Sequence, residues 1–193
     1  MRAYSHHHKN INHTGQIDDV FKLSLTKSLK HRLPWLFIGL LGGLLASKIV
    51  GGFEELLSTN IVLAGFIPLI VYMSDAVGTQ MESYVIRDFA MHPKINFIKY
   101  FMKHLTTVTF VGLIVSLLLF LSTLILNHEL TISMVLSISL FFSILSSVFT
   151  GLIMPRIFEK TNTDPANASG PIATIIQDIL SITIYFFVAS LIL

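Results

Sequence analysis

Five long apolar blocks dominate this sequence, in which 53% of residues are hydrophobic and only 12% are charged. A helix rising about 1.5 Å per residue needs roughly 18–20 such residues to cross a hydrocarbon layer of about 30 Å. Soluble domains have shorter apolar runs and about twice this share of charged residues. The blocks therefore predict an all-α integral membrane protein, with a lipid bilayer as its solvent and five transmembrane helices at about 34–50, 61–89, 97–126, 130–157 and 172–193.

Three segments are predicted along the chain. Residues 1–15 read as a disordered tail; His6, His7 and His8 within it form either a metal-binding tract or, as we favour, part of that tail. Residues 16–32 alternate apolar and lysine positions, which predicts a short amphipathic juxtamembrane helix that ends at Leu33, before Pro34. Residues 33–193 form the transmembrane domain, in which a polar turn at 51–60 follows the first span.

A row of small residues recurs every four positions in the first span, at Gly39, Gly43, Ser47 and Gly51. Such a row lets a second helix approach closely enough for dispersion forces to hold the pair. We therefore predict that it serves helix packing and not chemistry.

The distribution of basic residues indicates the orientation. Twelve of the thirteen Lys and Arg residues fall before the first span or in the connections after the second and fourth, and only Lys48 lies on the other side. By the positive-inside rule the amino terminus is cytoplasmic and the carboxyl terminus outside, as expected for an inner-membrane protein with an odd number of spans. These short basic segments form no continuous face, so nucleic acid is not an expected partner.

Three acidic residues, Asp75, Glu82 and Asp178, lie inside the apolar blocks. An ionised side chain at the bilayer centre costs about 2.5–3.5 kcal/mol, so each of these residues is expected to have a specific functional or structural role. Asp75 and Glu82 are two helical turns apart and share a face with Thr79. The hydroxyls, the amide and Gly78 in the run from 72 to 83 suggest a locally unwound helix whose freed carbonyls line an aqueous path.

Structural roles for these polar side chains remain open. Asp75 or Asp178 can be neutral, or can join helices by bonding to a Lys or a hydroxyl. Glu82 lies nearer the cytoplasmic end, where it can reach the interface or pair with Arg87. Gln80 can serve as an interhelical hydrogen-bonding group.

A second polar row follows the last span, with Thr174, Asp178, Ser181 and Tyr185 at three- and four-residue spacing. Two acidic rows facing each other attract cations. Hard oxygen ligands suit Mg2+, Mn2+ or Ca2+ better than copper, and Mg2+ keeps much of its water, so one or two carboxylates suffice. The sequence has no cysteine, no intramembrane His and no nucleophile elbow, so we expect neither an enzyme nor an organic cofactor.

Several motifs occur in order between Arg32 and Leu193: Arg32-Leu33-Pro34-Trp35, Gly52-Phe53-Glu54, Pro68, Gly78, Gln80, Arg87, Asp164-Pro165-Ala166, Pro171-Ile172-Ala173-Thr174 and Asp178. With these residues, the sequence from Arg32 to Leu193 resembles the transmembrane domain of the MgtE magnesium transporter family. The resemblance implies that Asp178 contacts the ion in a pore formed at a homodimer interface. It also implies a role for Asp164 near the cytoplasmic mouth, where an ordinary loop Asp before Pro is equally compatible with the sequence.

Two departures from the family pattern bear on function. Where the family typically has a Gly- and Asn-rich stretch in the second span, this chain adds the acidic residue Asp75. The family also typically carries large cytoplasmic regulatory domains, whereas only about thirty residues precede the first span here. Regulation is therefore expected to use the residue 16–32 helix, the loop carrying Asp164, or a separate regulatory protein.

The leading hypothesis is passive movement of Mg2+, the transported ion, through a homodimer. Asp178, Asp75, Glu82 and Asp164 are its candidate metal ligands, and the candidate pore-lining residues are Thr174, Ser181, Gly78, Thr79 and Gln80. One alternative is a proton-coupled exchanger of divalent cations. Another is a membrane scaffold subunit that does not transport, which predicts that Asn can replace Asp178 with little loss.

Overall fold

The computed structural model describes residues 24–92, 95–127, 129–160 and 165–193. These residues form six helices, five of which are long and apolar enough to cross a membrane. The predicted class, an all-α membrane protein with five spans, is therefore confirmed. In chain order the helices are α1 (Leu25–Gly51), α2 (Glu54–Thr59), α3 (Ile61–Met91), α4 (Phe97–Asn127), α5 (Leu130–Lys160) and α6 (Pro165–Ile192).

Helix α5 is the centre of the bundle and packs against α3, α4 and α6. Its fully buried apolar side chains recur every four residues, at Leu136, Leu140, Ile144, Val148 and Leu152. A parallel row of small residues is also buried, and it consists of Ser139, Ser143, Ser147 and Gly151. Because lipid tails are as apolar as leucine, close packing along such rows is what holds membrane helices together.

The small-residue row predicted for packing on α1 has no such role within the protomer. A Cβ atom built on Gly39, Gly43 or Gly51 would meet nothing within 4 Å, whereas one on Gly42 would collide with the Ile175 side chain of α6. The spacing alone could not identify which helix lies at the centre. The row that packs within the chain is the serine-rich one on α5.

Helix α1 is continuous from Leu25 to Gly51 with Pro34 inside it. The prediction that a separate helix ends at Leu33 is therefore wrong for the described residues. Proline removes only one backbone donor, and helices at membrane depth tolerate it when the rest of the ladder persists. Residues 1–15 and the first part of the predicted juxtamembrane helix, residues 16–23, lie outside the described residues.

The connection between the first two spans is also more ordered than a polar turn. Helix α2 occupies Glu54–Thr59, and the hydroxyls of Ser58 and Thr59 both donate to the Glu55 carbonyl. Just before it, the ring of Phe53 stacks on that of Phe186, with centroids 4.4 Å apart. This stack fixes the connection against α6.

Helix α3 is unbroken from Ile61 to Met91, so the predicted unwinding around Gly78 is wrong. The hydroxyls of this segment bond back to their own helix: Ser74 Oγ donates to the Ile70 carbonyl at 2.6 Å and Ser83 Oγ to that of Thr79 at 2.9 Å. In lipid a continuous helix is favoured because it pairs its own backbone groups.

Gly151 of α5 allows α3 and α5 to cross closely at Gly78. A Cβ on Gly151 would lie 2.7 Å from the Gly78 carbonyl oxygen, a backbone atom with little room to retreat. We expect Gly151→Ala to destabilise the protein by about 1–3 kcal/mol, the usual cost of overpacking. Thermal unfolding in detergent measures this, with Gly65→Ala as control because its Cβ meets nothing within 4 Å. Equal melting of the two variants would contradict the close crossing.

Two contacts between α6 and α3 set the level at which these helices meet. The Tyr185 hydroxyl donates to the Leu63 carbonyl at 2.8 Å, near the start of α3. Three turns further along α3, the hydroxyl oxygens of Ser74 and Ser181 lie 2.7 Å apart. Since the helices run antiparallel, Asp75 and Asp178, next to these contacts, come to the same depth.

Candidate cation site

Asp75 on α3 and Asp178 on α6 lie together near the middle of the bundle. Both side chains are half-buried, and their carboxyl groups are close enough to repel each other. The hydroxyl of Thr174, one turn before Asp178, is hydrogen-bonded to the Asp75 carboxyl. Three of the residues singled out in the sequence, on two separate spans, thus form one group of oxygen atoms.

The chemistry of this acidic pair favours a cation. Two like charges held close in a partly desolvated place repel each other, and either a proton or a metal ion relieves the repulsion. Carboxylate and hydroxyl oxygens are hard ligands of the kind that Mg2+ and Ca2+ prefer. No group of three or more His, Cys, Asp or Glu side chains able to hold a metal occurs in the described part of the chain. The acidic pair of one chain therefore suits an ion that keeps part of its water shell.

The other candidate residues of α3 divide between the interior and the surface of the protomer. Glu82, two turns from Asp75, is 8% exposed, whereas Thr79 and Gln80 are exposed. Gly78 is buried at the crossing with α5, so its backbone does not face an open path in the protomer. On this helix Asp75 is the candidate ligand that the structure brings next to another acidic residue.

Of the two remaining candidates, Ser181 is described by the structure and Asp164 is not. Ser181 is fully buried and bonded to Ser74 and Gln177, so within the protomer it joins helices and does not line an open surface. Asp164 lies outside the described residues.

Gln177 is the polar residue that sequence reasoning missed. Its side chain is 1% exposed, and its amide group contacts both α5 and α6. The signal was present in the sequence, because an amide in an otherwise apolar run needs partners. It was overlooked because it sits beside the charged Asp178.

Comparison with known proteins shows the family of this chain. The sequence model of the MgtE family, described as a divalent cation transporter, matches residues 67–188, which include Asp75, Glu82 and Asp178. The chain belongs to the MgtE family. The match also includes all of α4 and α5 and most of α3 and α6. The sequence resemblance noted above is thereby confirmed.

Magnesium transporters of the MgtE family from three bacteria are similar to this chain. It is 34% identical to that of Bacillus subtilis over 82% of its own length. It is 30% identical to that of Enterococcus faecalis over 86% and 28% identical to that of Thermus thermophilus over 84%. The chain spans only 36–37% of the length of these MgtE relatives.

Proposed function

We propose that this chain moves Mg2+ passively across the membrane through a pore at the interface of a homodimer. Asp178 is the central ligand and Asp75 supports it. The observation that carries the proposal is the half-buried acidic pair between two spans. The relatives named as magnesium transporters support the choice of ion.

The hydration of Mg2+ explains why few protein ligands are enough. This ion releases water reluctantly and usually keeps several water molecules while one or two carboxylates hold it. Asp75 and Asp178 supply the negative charge, and the Thr174 hydroxyl keeps the Asp75 carboxyl in place. An ion bound mainly through water can also leave again, which conduction requires.

The remaining candidates extend the path toward the cytoplasm. With the amino terminus inside and the carboxyl terminus outside, α3 runs inward, so Glu82 lies on the cytoplasmic side of Asp75. Thr79 and Gln80 are exposed on the protomer and are available to line a pore between two copies. Asp164 contributes at the cytoplasmic mouth, and the pore is that of an inner-membrane protein.

The membrane potential is a sufficient driving force. Moving one charge across 100 mV is worth about 2.3 kcal/mol, and therefore about 4.6 kcal/mol for a divalent ion. Entry into a cell with a negative interior needs no chemical energy source. This is why we propose a passive mechanism and no catalytic residue.

Proton-coupled exchange is the second candidate function, and the same acidic pair favours it. Two carboxyl groups that repel each other can share a proton when the cation leaves. Such an exchanger would move Mg2+ against its gradient when a proton gradient is applied, whereas a passive pore would not.

Uptake of Mg2+ into sealed vesicles tests the proposal. Purified protein is reconstituted into proteoliposomes loaded with a Mg2+-sensitive dye, and uptake is compared with protein-free vesicles and with Asp178→Ala. We expect uptake by the unmodified protein alone, and competition by Ca2+ and Mn2+ then ranks the ions. Absence of divalent uptake by the unmodified protein would refute the proposal and favour a scaffold that does not transport.

A further inference from the structure

A buried hydrogen-bonded cluster lies directly behind the acidic pair. We call it the Gln177 cluster; it joins α3, α5 and α6 and consists of Gln177, Ser181, Ser74, Thr150, Ser146 and the backbone carbonyl of Ser143. Ser74 and Ser181 are fully buried, and Gln177 and Thr150 are 1% and 3% exposed. These side chains bond to one another and to backbone groups.

The carbonyl of Ser143 determines how the Gln177 amide is oriented. A carbonyl oxygen only accepts, so the amide nitrogen must face it, at 3.1 Å. The same nitrogen donates to Ser146 Oγ at 3.1 Å and to Ser181 Oγ at 3.0 Å, while the amide oxygen accepts from Thr150 at 2.8 Å. The amide nitrogen has two N–H groups for three acceptors, so one N–H group is shared between two of them. Both the nitrogen and the oxygen of the amide are therefore hydrogen-bonded.

The two serine hydroxyls link α6 to α3. Their oxygens lie 2.7 Å apart, and either hydroxyl can be the donor of this bond. Each is also within hydrogen-bond distance of a carbonyl of its own helix, Ser181 Oγ of that of Gln177 at 2.7 Å and Ser74 Oγ of that of Ile70 at 2.6 Å. Since Ser181 Oγ also accepts from the Gln177 amide, the pair connects Gln177 on α6 to α3 whichever serine donates.

Each end of this link is next to an acidic residue in the sequence. Gln177 precedes Asp178 on α6, and Ser74 precedes Asp75 on α3. A change in the distance between the two serines therefore moves the two helix backbones, and with them the two carboxyl groups. In a low-dielectric interior, buried networks of this kind are rigid when all members are satisfied.

We infer that the Gln177 cluster is the positioning element that sets the separation of the Asp75 and Asp178 carboxylates, and thereby the ion the site prefers. This rests on the proposed function. Oxygen ligands lie about 2.0–2.1 Å from Mg2+ and about 2.3–2.6 Å from Ca2+, and Mg2+ demands the stricter geometry. A few tenths of an ångström between the helices is therefore enough to change the preference.

Ser181→Ala and Ser190→Ala form a matched pair of variants for testing this role. Both serines lie on α6 and donate to the carbonyl four residues earlier, at 2.7 and 2.8 Å, but only Ser181 is also bonded to another helix. In vesicle uptake, we expect Ser181→Ala to lower the ratio of Mg2+ to Ca2+ transport about five-fold, the factor typical of one lost hydrogen bond. Ser190→Ala should leave the ratio unchanged.

Cross-linking tests the positioning without relying on transport. Because the natural chain contains no cysteine, Asp75→Cys with Asp178→Cys introduces one unique pair of thiols. The rate at which a short bis-maleimide joins them within one chain reports the separation at the site. Adding Ser181→Ala should change this rate, and adding Ser190→Ala should not; gel filtration confirms that each variant is folded.

The two measurements separate this inference from the proposed function. A changed cross-linking rate together with a changed ion ratio supports the inference. An unchanged rate overturns it even if the protein carries Mg2+, and so does a changed rate with an unchanged ion ratio. If the unmodified protein carries no divalent cation at all, the proposed function fails and the inferred control of ion preference fails with it, while the rate still shows whether the cluster sets the helix spacing.

Discussion

Replacing Asp178 by Asn is expected to reduce Mg2+ uptake by more than about 100-fold, since loss of an outer-shell partner alone costs about 10–100-fold in metal affinity. The amide has nearly the same size and shape as the carboxylate, so the helix packing around it should persist. It removes the negative charge and one anionic oxygen from the acidic pair. Uptake into proteoliposomes, normalised to the amount of folded protein, measures the effect.

Asp88→Asn is the matched control for this substitution. Asp88 is an acidic residue of α3, away from the acidic pair, and its carboxylate already accepts hydrogen bonds from Arg87 at 3.2 Å and from the Tyr100 hydroxyl at 2.9 Å. We expect this variant to transport within about two-fold of the unmodified protein, as is usual for exposed ion pairs of small energetic weight. Retention of transport by Asp178→Asn would instead support the scaffold hypothesis.

Asp75→Asn is expected to lower the apparent affinity for Mg2+ about ten-fold while keeping a measurable maximal rate. The variant halves the charge of the pair but leaves Asp178, which we propose as the central ligand. An Asn side chain also keeps an oxygen that accepts from Thr174, so the local geometry should be preserved. Uptake as a function of Mg2+ concentration measures affinity and maximal rate separately.

The relative size of the two effects shows which of Asp75 and Asp178 is the central ligand. If Asp75→Asn abolishes uptake while Asp178→Asn only weakens it, the assignment of the central ligand is wrong. If Asp75→Asn changes neither affinity nor rate, Asp75 has a structural role and its contact with Thr174 serves helix association. Gln80, on the exposed face of α3, is a candidate pore-lining residue. A Gln80→Asn variant would test that role and not the roles of Asp75 and Asp178.

The spans could be predicted from the sequence because membrane insertion imposes a simple rule on length and polarity. The starts expected at 61, 97 and 130 coincide with the observed starts of α3, α4 and α5. The rule says nothing about a break at a given residue. Pro34 and Gly78 were therefore both expected to interrupt helices that are in fact continuous.

Packing between the helices was harder to predict than the helices themselves. Small residues recur every four positions on both α1 and α5, and only the bundle shows that α5 is enclosed by three neighbours. Serine reads as a polar residue in a sequence, although in α5 its small size is what permits the close contacts at Ser143 and Ser147.

The two acidic residues of the candidate site could be singled out because a charge at membrane depth is costly and stands out against its surroundings. Which side of α6 faces the neighbouring helices could not be determined to within one residue. Ser181 was therefore expected beside a path, although it is buried among hydrogen bonds, and Gln177 was overlooked. Directions around a helix depend on its neighbours, which spacing alone does not supply.

Passive conduction of Mg2+ makes uptake depend on the membrane potential, and this dependence can be measured in sealed vesicles. Vesicles containing the unmodified protein are given an inside-negative potassium diffusion potential at equal pH on both sides, with valinomycin as the potassium carrier. For a passive pore we expect Mg2+ uptake that rises with the potential and does not respond to an added proton gradient. Uptake that requires a proton gradient, or no uptake at any potential, would contradict it.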